Sequence, residues 1–270
     1  MIKDITIGQY FPGDTSIHKI DPRVKIILTF VYIVALFVVD NLFGFILVGA
    51  FILSVILISK LSFKIILKGL KPIIMLVAFT SVINIFFTTG DPLFKGLDWG
   101  IFTPTKQGLY NAVFVVIRVV FLIIGTSILT YTTSPILLTD GLESLMKPLK
   151  YIKVPVHDIS MMMTIALRFI PTLIDETDKI MSAQKSRGAD FETGGLIKRA
   201  KALIPILIPL FVSAFRRAED LAIAMECRCY NGGKGRTRLK KYQLELRDYV
   251  CMFIMVLLMA AIFLLNMIKV

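Results

Sequence analysis

The chain has 270 residues, with 31 Lys and Arg against 19 Asp and Glu and a formal net charge of +12. Apolar residues make up 56 % and charged residues 19 %, where soluble domains run at roughly 45–50 % and 25 %, and the mean hydropathy is +0.77. These values exclude an ordinary soluble domain, because so much apolar surface needs membrane lipid as a partner. Three cysteines exclude a disulfide scaffold and fit a reducing, cytosol-facing setting.

No signal peptide is expected, since residues 1–23 hold no apolar core of the needed length. Asp21 can cap a first span and Pro22 suits its first turn, while Arg23 and Lys25 read as headgroup-level residues of a plain membrane-entry segment. Apolar runs then follow at Val24–Val39, Leu42–Ser59, Pro72–Phe87, Leu109–Tyr131 and Tyr249–Met267. Crossing a core of about 30 Å takes roughly 20 residues, with about 17 tolerated, so each run can serve as one short span. The loop after the second run holds Lys60, Lys64, Lys68 and Lys71 with no acidic residue, whereas Asp40, Asp91 and Asp98 lie in the loops opposite. The positive-inside rule therefore puts the N-terminus and residues 132–248 in the cytoplasm and the C-terminus outside.

Residues 132–248 carry 19 Lys and Arg against 13 Asp and Glu. A short helix is expected from Pro135 to Leu149, with Ser134 as its N-cap. From Val156 to Gln184 apolar residues recur at spacings of three and four, the pattern of a long amphipathic helix. A second runs from Leu196 to about Arg228; its apolar centre, Leu203–Phe215, is about 20 Å long and too short to cross, so it belongs at or beneath the inner membrane surface. The expected fold is thus an all-α membrane protein, with about five transmembrane helices and three cytoplasmic amphipathic helices. Its parts are residues 1–133, a helical cytoplasmic domain over 134–248, and a final span over 249–270.

Catalytic chemistry finds no foothold in this sequence. It lacks a phosphate-cradling loop, a His-Glu-x2-His pattern and a Gly-x-Ser-x-Gly elbow, and His18 and His157 read as interfacial or capping residues. Cys227 and Cys229 lack the further ligands that a metal site wants. No catalytic residue, cofactor, metal or nucleic-acid partner is expected. Arg118 interrupts the fourth apolar run, where an unpaired charge costs at least about 2.5 kcal/mol. It must therefore meet protein or water, either a second membrane subunit or a hydrogen-bonding position inside the bundle.

Two endings match. Ser186-Arg187-Gly188 closes the first long helix and Cys227-Arg228-Cys229 the second, each setting one arginine in the last turn. Cations suit helix C-termini at about 0.3–1 kcal/mol, and a guanidinium fork can also bind a carboxylate on another protein. With these endings, five spans and a cytoplasmic helical insert, the chain resembles the EcfT family, the transmembrane coupling proteins of energy-coupling factor (ECF) vitamin transporters. The run from Gly8-Gln9-Tyr10 to Arg23-Val24-Lys25 is similar to that family's N-terminal signature, and Gly232-Gly233 to Leu239 adds to the likeness.

The resemblance implies a coupling subunit whose two arginine motifs dock into two ABC-type ATPases and whose membrane part holds a small substrate-binding S component. ATP-driven motion of the coupling helices would reorient that component to release a vitamin or metal ion inside. Cys227-Arg228-Cys229 departs from the family's Ala-Arg-Gly on both sides of the arginine, which leaves open the backbone turn at Cys229. The competing reading is a polytopic membrane enzyme acting on lipid head groups, with the basic segment attracting anionic substrates.

Overall fold

The computed structural model describes residues 10–89, 105–191, 195–232 and 243–267, and its regular elements are helices. The loop carrying Asp91 and Asp98, residues Gly8 and Gln9 of the N-terminal stretch, and Gly233–Leu239 lie outside the described residues. Among the described residues four stretches are long and apolar enough to cross a bilayer: Leu42–Ser59, Phe63–Phe87, Lys106–Thr132 and Leu246–Met267. The protein is therefore an all-α, multi-pass membrane protein. Its chain contacts divide it into two compact units, one holding residues 8–141 with 242–270 and the other residues 142–241.

The larger unit begins with α1, Pro22–Val38. Pro22 opens it and Asp21 caps it, accepting the Arg23 N–H at 2.8 Å. Helix α2 follows at Leu42–Ser59. The four-lysine loop is in fact largely helical: Lys64 and Lys68 belong to α3, Phe63–Leu70. One turn apart, they share an exposed face while Ile66 on the other side is buried. Pro72 tightens the chain into a 3-10 turn at Lys71–Ile73 before α4, Ile74–Phe87. Helix α5 covers Lys106–Thr132 and α9 covers Leu246–Met267.

Helices α1, α2, α5 and α9 enclose an apolar core in which Ala35, Leu36, Val39 and Ile262 are fully buried. The Tyr32 ring enters α5 at Gly125, where any Cβ would collide with Tyr32 Cε1. The Tyr32 hydroxyl donates to the Phe121 carbonyl at 2.7 Å.

Each end of this bundle is closed by a polar cluster, as a low-dielectric medium requires of helix termini. At one end Lys25 is buried among the chain's own groups. Its Nζ donates to the carbonyls of Thr132 at 2.9 Å and His18 at 3.2 Å, and to Thr133 Oγ1 at 3.1 Å. The ammonium thereby caps the C-terminus of α5, where a cation suits the helix dipole. Asp248, also buried, does the opposite for two helix starts: it accepts the Asp21 N–H at 3.0 Å and the Glu245 N–H at 2.8 Å. At the other end, Asn266 Nδ2 donates to the Val38 carbonyl at 2.6 Å and Asn41 Nδ2 to that of Leu265 at 3.1 Å. Lys25 to Val39 on α1 and Arg118 to Thr132 on α5 each advance fourteen residues, roughly 21 Å.

The smaller unit holds two helices of 31 residues each, α7 at Val156–Ser186 and α8 at Leu196–Glu226. They begin and end close to where the apolar spacing puts them, and continue through Pro171, Pro205 and Pro209. The preceding α6, Pro135–Leu145, is shorter than expected. Pro148 lacks an amide to donate, and the chain runs on as a 3-10 turn over Lys147–Ile152. Glu143 ties this stretch to the first turn of α7, accepting Ser160 Oγ at 2.7 Å and lying 3.3 Å from His157 Nδ1.

Candidate functional site

The two arginine endings share one backbone turn. In the first, Gly188 has φ +87° and donates to the Lys185 carbonyl at 3.0 Å, while Ala189 donates back to Gln184 at 3.0 Å. In the second, Cys229 has φ +55° and donates to Glu226 at 2.8 Å, while Tyr230 donates back to Met225 at 3.0 Å. Both are Schellman motifs with the arginine immediately ahead of the left-handed residue. The departure at Cys229 therefore leaves the turn intact, at the conformational cost of about 1–2 kcal/mol that a side chain in this region carries.

Arg187 and Arg228 are exposed, as are Ser186, Gly188, Cys227 and Cys229. Neither guanidinium has a hydrogen-bond or ion-pair partner among the described residues. The helix C-terminus accounts for a cation near each turn, but not for two five-donor forks left without acceptors at geometrically equivalent positions.

Helices α7 and α8 are joined by an ion pair, Arg217 Nη2 to Glu176 Oε2 at 3.0 Å, with Arg217 Nε also 3.5 Å from Ser213 Oγ. A hydrogen bond from Ser213, and then the charges of Arg217 and Lys179, hold the Glu176 carboxyl below its ordinary range. From Glu176 to Arg187 and from Arg217 to Arg228 the chain advances eleven residues, so each tip stands roughly 16 Å from the contact. The nine steps from Arg187 to Leu196 reach at most ~32 Å.

Arg118 belongs to the other unit, and its partners are intramolecular. Nη2 donates to the Val39 carbonyl at 2.6 Å and lies 3.8 Å from Asp40 Oδ1, and the guanidinium carbon sits 5.6 Å from the Phe45 ring centre. Nη2 thus meets the C-terminus of α1, while Nε is buried without a hydrogen-bond partner. Among the described residues no group of three or more His, Cys, Asp or Glu could hold a metal ion.

Sequence reading does not reveal the long-range contacts of Lys25, which reaches 107 residues to Thr132, or of Asp248, which reaches 227 residues to Asp21, or the Glu176–Arg217 contact. Asp175, Glu176 and Asp178 look in sequence like a solvated helix face. The available signal was the match between the two eleven-residue intervals.

The family described as CbiQ, Cobalt transport protein, matches residues 13–239. Proteins named energy-coupling factor transporter transmembrane protein EcfT are similar over nearly the whole chain. That of Clostridium kluyveri is 60 % identical over 93 % of this chain and 92 % of its own, and that of Ruminiclostridium cellulolyticum 52 % over 98 % of each. The Bacillus subtilis protein of that name is 44 % identical over 98 % of this chain and 100 % of its own.

Proposed function

The chain belongs to the EcfT family, transmembrane coupling subunits of ECF-type transporters and not enzymes, and we propose that Arg187 and Arg228 are the two points at which it takes up ATP-driven motion. Each guanidinium enters an acidic groove on one of two ABC-type ATPase subunits, with Ser186, Gly188, Cys227 and Cys229 shaping the turns. The observation that carries this reading is the pair of superposable turns, each presenting an unpartnered fork. Closure of two ATPases on bound nucleotide would push on both tips together. Equal arms about the Glu176–Arg217 contact would turn that push into a change of crossing angle.

The membrane-embedded S component is the element that such a change would move. The exposed apolar strip of α8, in which Ile208, Phe211 and Phe215 are each at least 60 % exposed, is a surface of the kind it would use. With α1 counted as a fifth span, matched to α5 between the two polar clusters, five spans put the N-terminus and the α6–α8 segment in the cytoplasm and the C-terminus outside. The exposed lysines of α3 favour that orientation.

The test is co-purification of the ATPases with Arg187→Ala, Arg228→Ala and the double variant. Truncating one partner of a buried charge pair typically costs about 2–5 kcal/mol, so each single variant weakens attachment at least about 30-fold and Arg→Lys restores only part of it. Capture of both ATPases by the double variant at wild-type strength refutes the assignment.

A further inference from the structure

Two adjoining hollows in the larger unit serve neither the helix packing nor the arginine ends. The first is an apolar cleft of about 490 Å³ between α1, α2, α5 and α9. It runs from the level of Lys25 and Thr132 to that of Tyr32 and Phe51, seven residues along α1, or roughly 10 Å. Its rim residues Ile58, Val250 and Ile254 are about half exposed, so the cleft opens sideways, into the hydrocarbon of a surrounding bilayer.

The second hollow, of about 540 Å³, is a polar cup at the same end of the bundle, formed by the N-terminal segment with Thr15 and His18 and by Ser59 and Lys60 at the end of α2. Ser16 and Ile58 line both hollows, so an apolar slot and a polar chamber lie side by side. A ligand matching both halves has to be an amphiphile, and the headgroup chemistry follows from the charges. Asp14 lines the cup with its carboxylate 3.8 Å from the Lys19 ammonium, Arg247 at the cleft is paired with Glu245, and the Lys25 ammonium is committed to backbone carbonyls. His18 is engaged by Thr15 Oγ1 at 2.6 Å and the Phe11 carbonyl at 3.1 Å. Lys60, held just beyond α2 at φ +54°, has no partner among the described residues and is the cation free to meet an anion.

We propose that the adjoining hollows hold one glycerophospholipid, with an acyl chain in the cleft and its phosphate at Lys60. The site itself does not depend on ATPase docking; only its assignment to the cytoplasm-facing leaflet rests on the orientation proposed above.

The experiment uses the full chain purified in mild detergent without ATPases, and counts bound phospholipid by native mass spectrometry. Wild type retains about one phospholipid per chain. Leu129→Trp, which fills the cleft, and Lys60→Glu, on the exposed surface, each retain at least fivefold less, and Lys60→Arg matches wild type. Added to delipidated wild type, dioleoyl phosphatidylglycerol raises the midpoint of thermal unfolding, and glycerol 3-phosphate at the same concentration does not. Wild-type retention by a folded Lys60→Glu variant overturns the proposal, as does an equal thermal shift from glycerol 3-phosphate. Should Leu129→Trp fail to fold, Lys60→Glu and the two-ligand comparison decide the matter.

Discussion

Gly188 and Cys229 occupy the same position of the same turn, and exchanging their chemistry isolates what the turn contributes. At Gly188, with φ +87°, an added Cβ would meet no atom within 4 Å. The effect of Gly188→Ala is therefore purely conformational, about 1–2 kcal/mol against the left-handed region. The substitution frays the last turn of α7 and swings the Arg187 fork out of line. If ATPase binding requires the turn, that energy appears in the affinity as a loss of roughly 5- to 30-fold, at 1.4 kcal/mol per decade. Cys229→Gly removes the corresponding strain, offset in part by the unfolded-state freedom of glycine, and binds as wild type or slightly tighter. Surface-plasmon measurement of each purified ATPase on the reconstituted chain reads both. Wild-type affinity for Gly188→Ala, in protein whose helicity is unchanged, refutes the claim that the turn aims the arginine.

Four further outcomes follow from the larger unit. Asp248→Asn leaves one helix-start amide without its carboxylate acceptor and Lys25 without its nearby countercharge, and lowers stability by roughly 1–3 kcal/mol, visible as earlier thermal unfolding in detergent. Arg118→Met strips the donor from the Val39 carbonyl and costs a similar amount, about 1–3 kcal/mol; unchanged unfolding and unchanged assembly would remove Arg118 from any role. Gly125→Ala collides with the pinned Tyr32 ring and destabilises by about 1–3 kcal/mol. Burial, opposed by the Phe11 carbonyl and reinforced by the charge of Lys25, holds the His18 imidazole below its ordinary 6.5. The folded form thus binds its proton less readily than the unfolded chain. Its contribution is complete above 6.5 and lost as the pH falls through the lower folded value, so amide protection over residues 11–20 falls on acidification, and His18→Gln flattens the profile.

Local rules reached as far as local forces do. The spacing of Ile159, Met162, Ala166, Ile170 and Leu173 on one face was enough to place α7, and Asp21-Pro22 enough to start α1. The lysines of α3 misled, since four cations in a short run suggest a loop, although the interval from Lys64 to Lys68 already fitted a helical face. Nothing near Lys25 in sequence reveals that the end of α5 needs a cation. Its acceptor, Thr132, lies 107 residues away and becomes adjacent only when the bundle closes. The turn at Cys229 was obscured for a different reason. Left-handed backbone is signalled by glycine, and here two chain-reversing hydrogen bonds hold it without one.

Because the two tips copy each other in backbone, a groove that recognised only the turn and its fork would accept either arm. Discrimination between left and right must then come from the flanking side chains: a methyl group at Ala189 where the other arm carries the ring of Tyr230, and a hydroxyl at Ser186 where it carries the thiol of Cys227. Transplanting those neighbours between the arms would transplant partner preference with them, and an assembly built on two unlike motors would lose its fixed handedness.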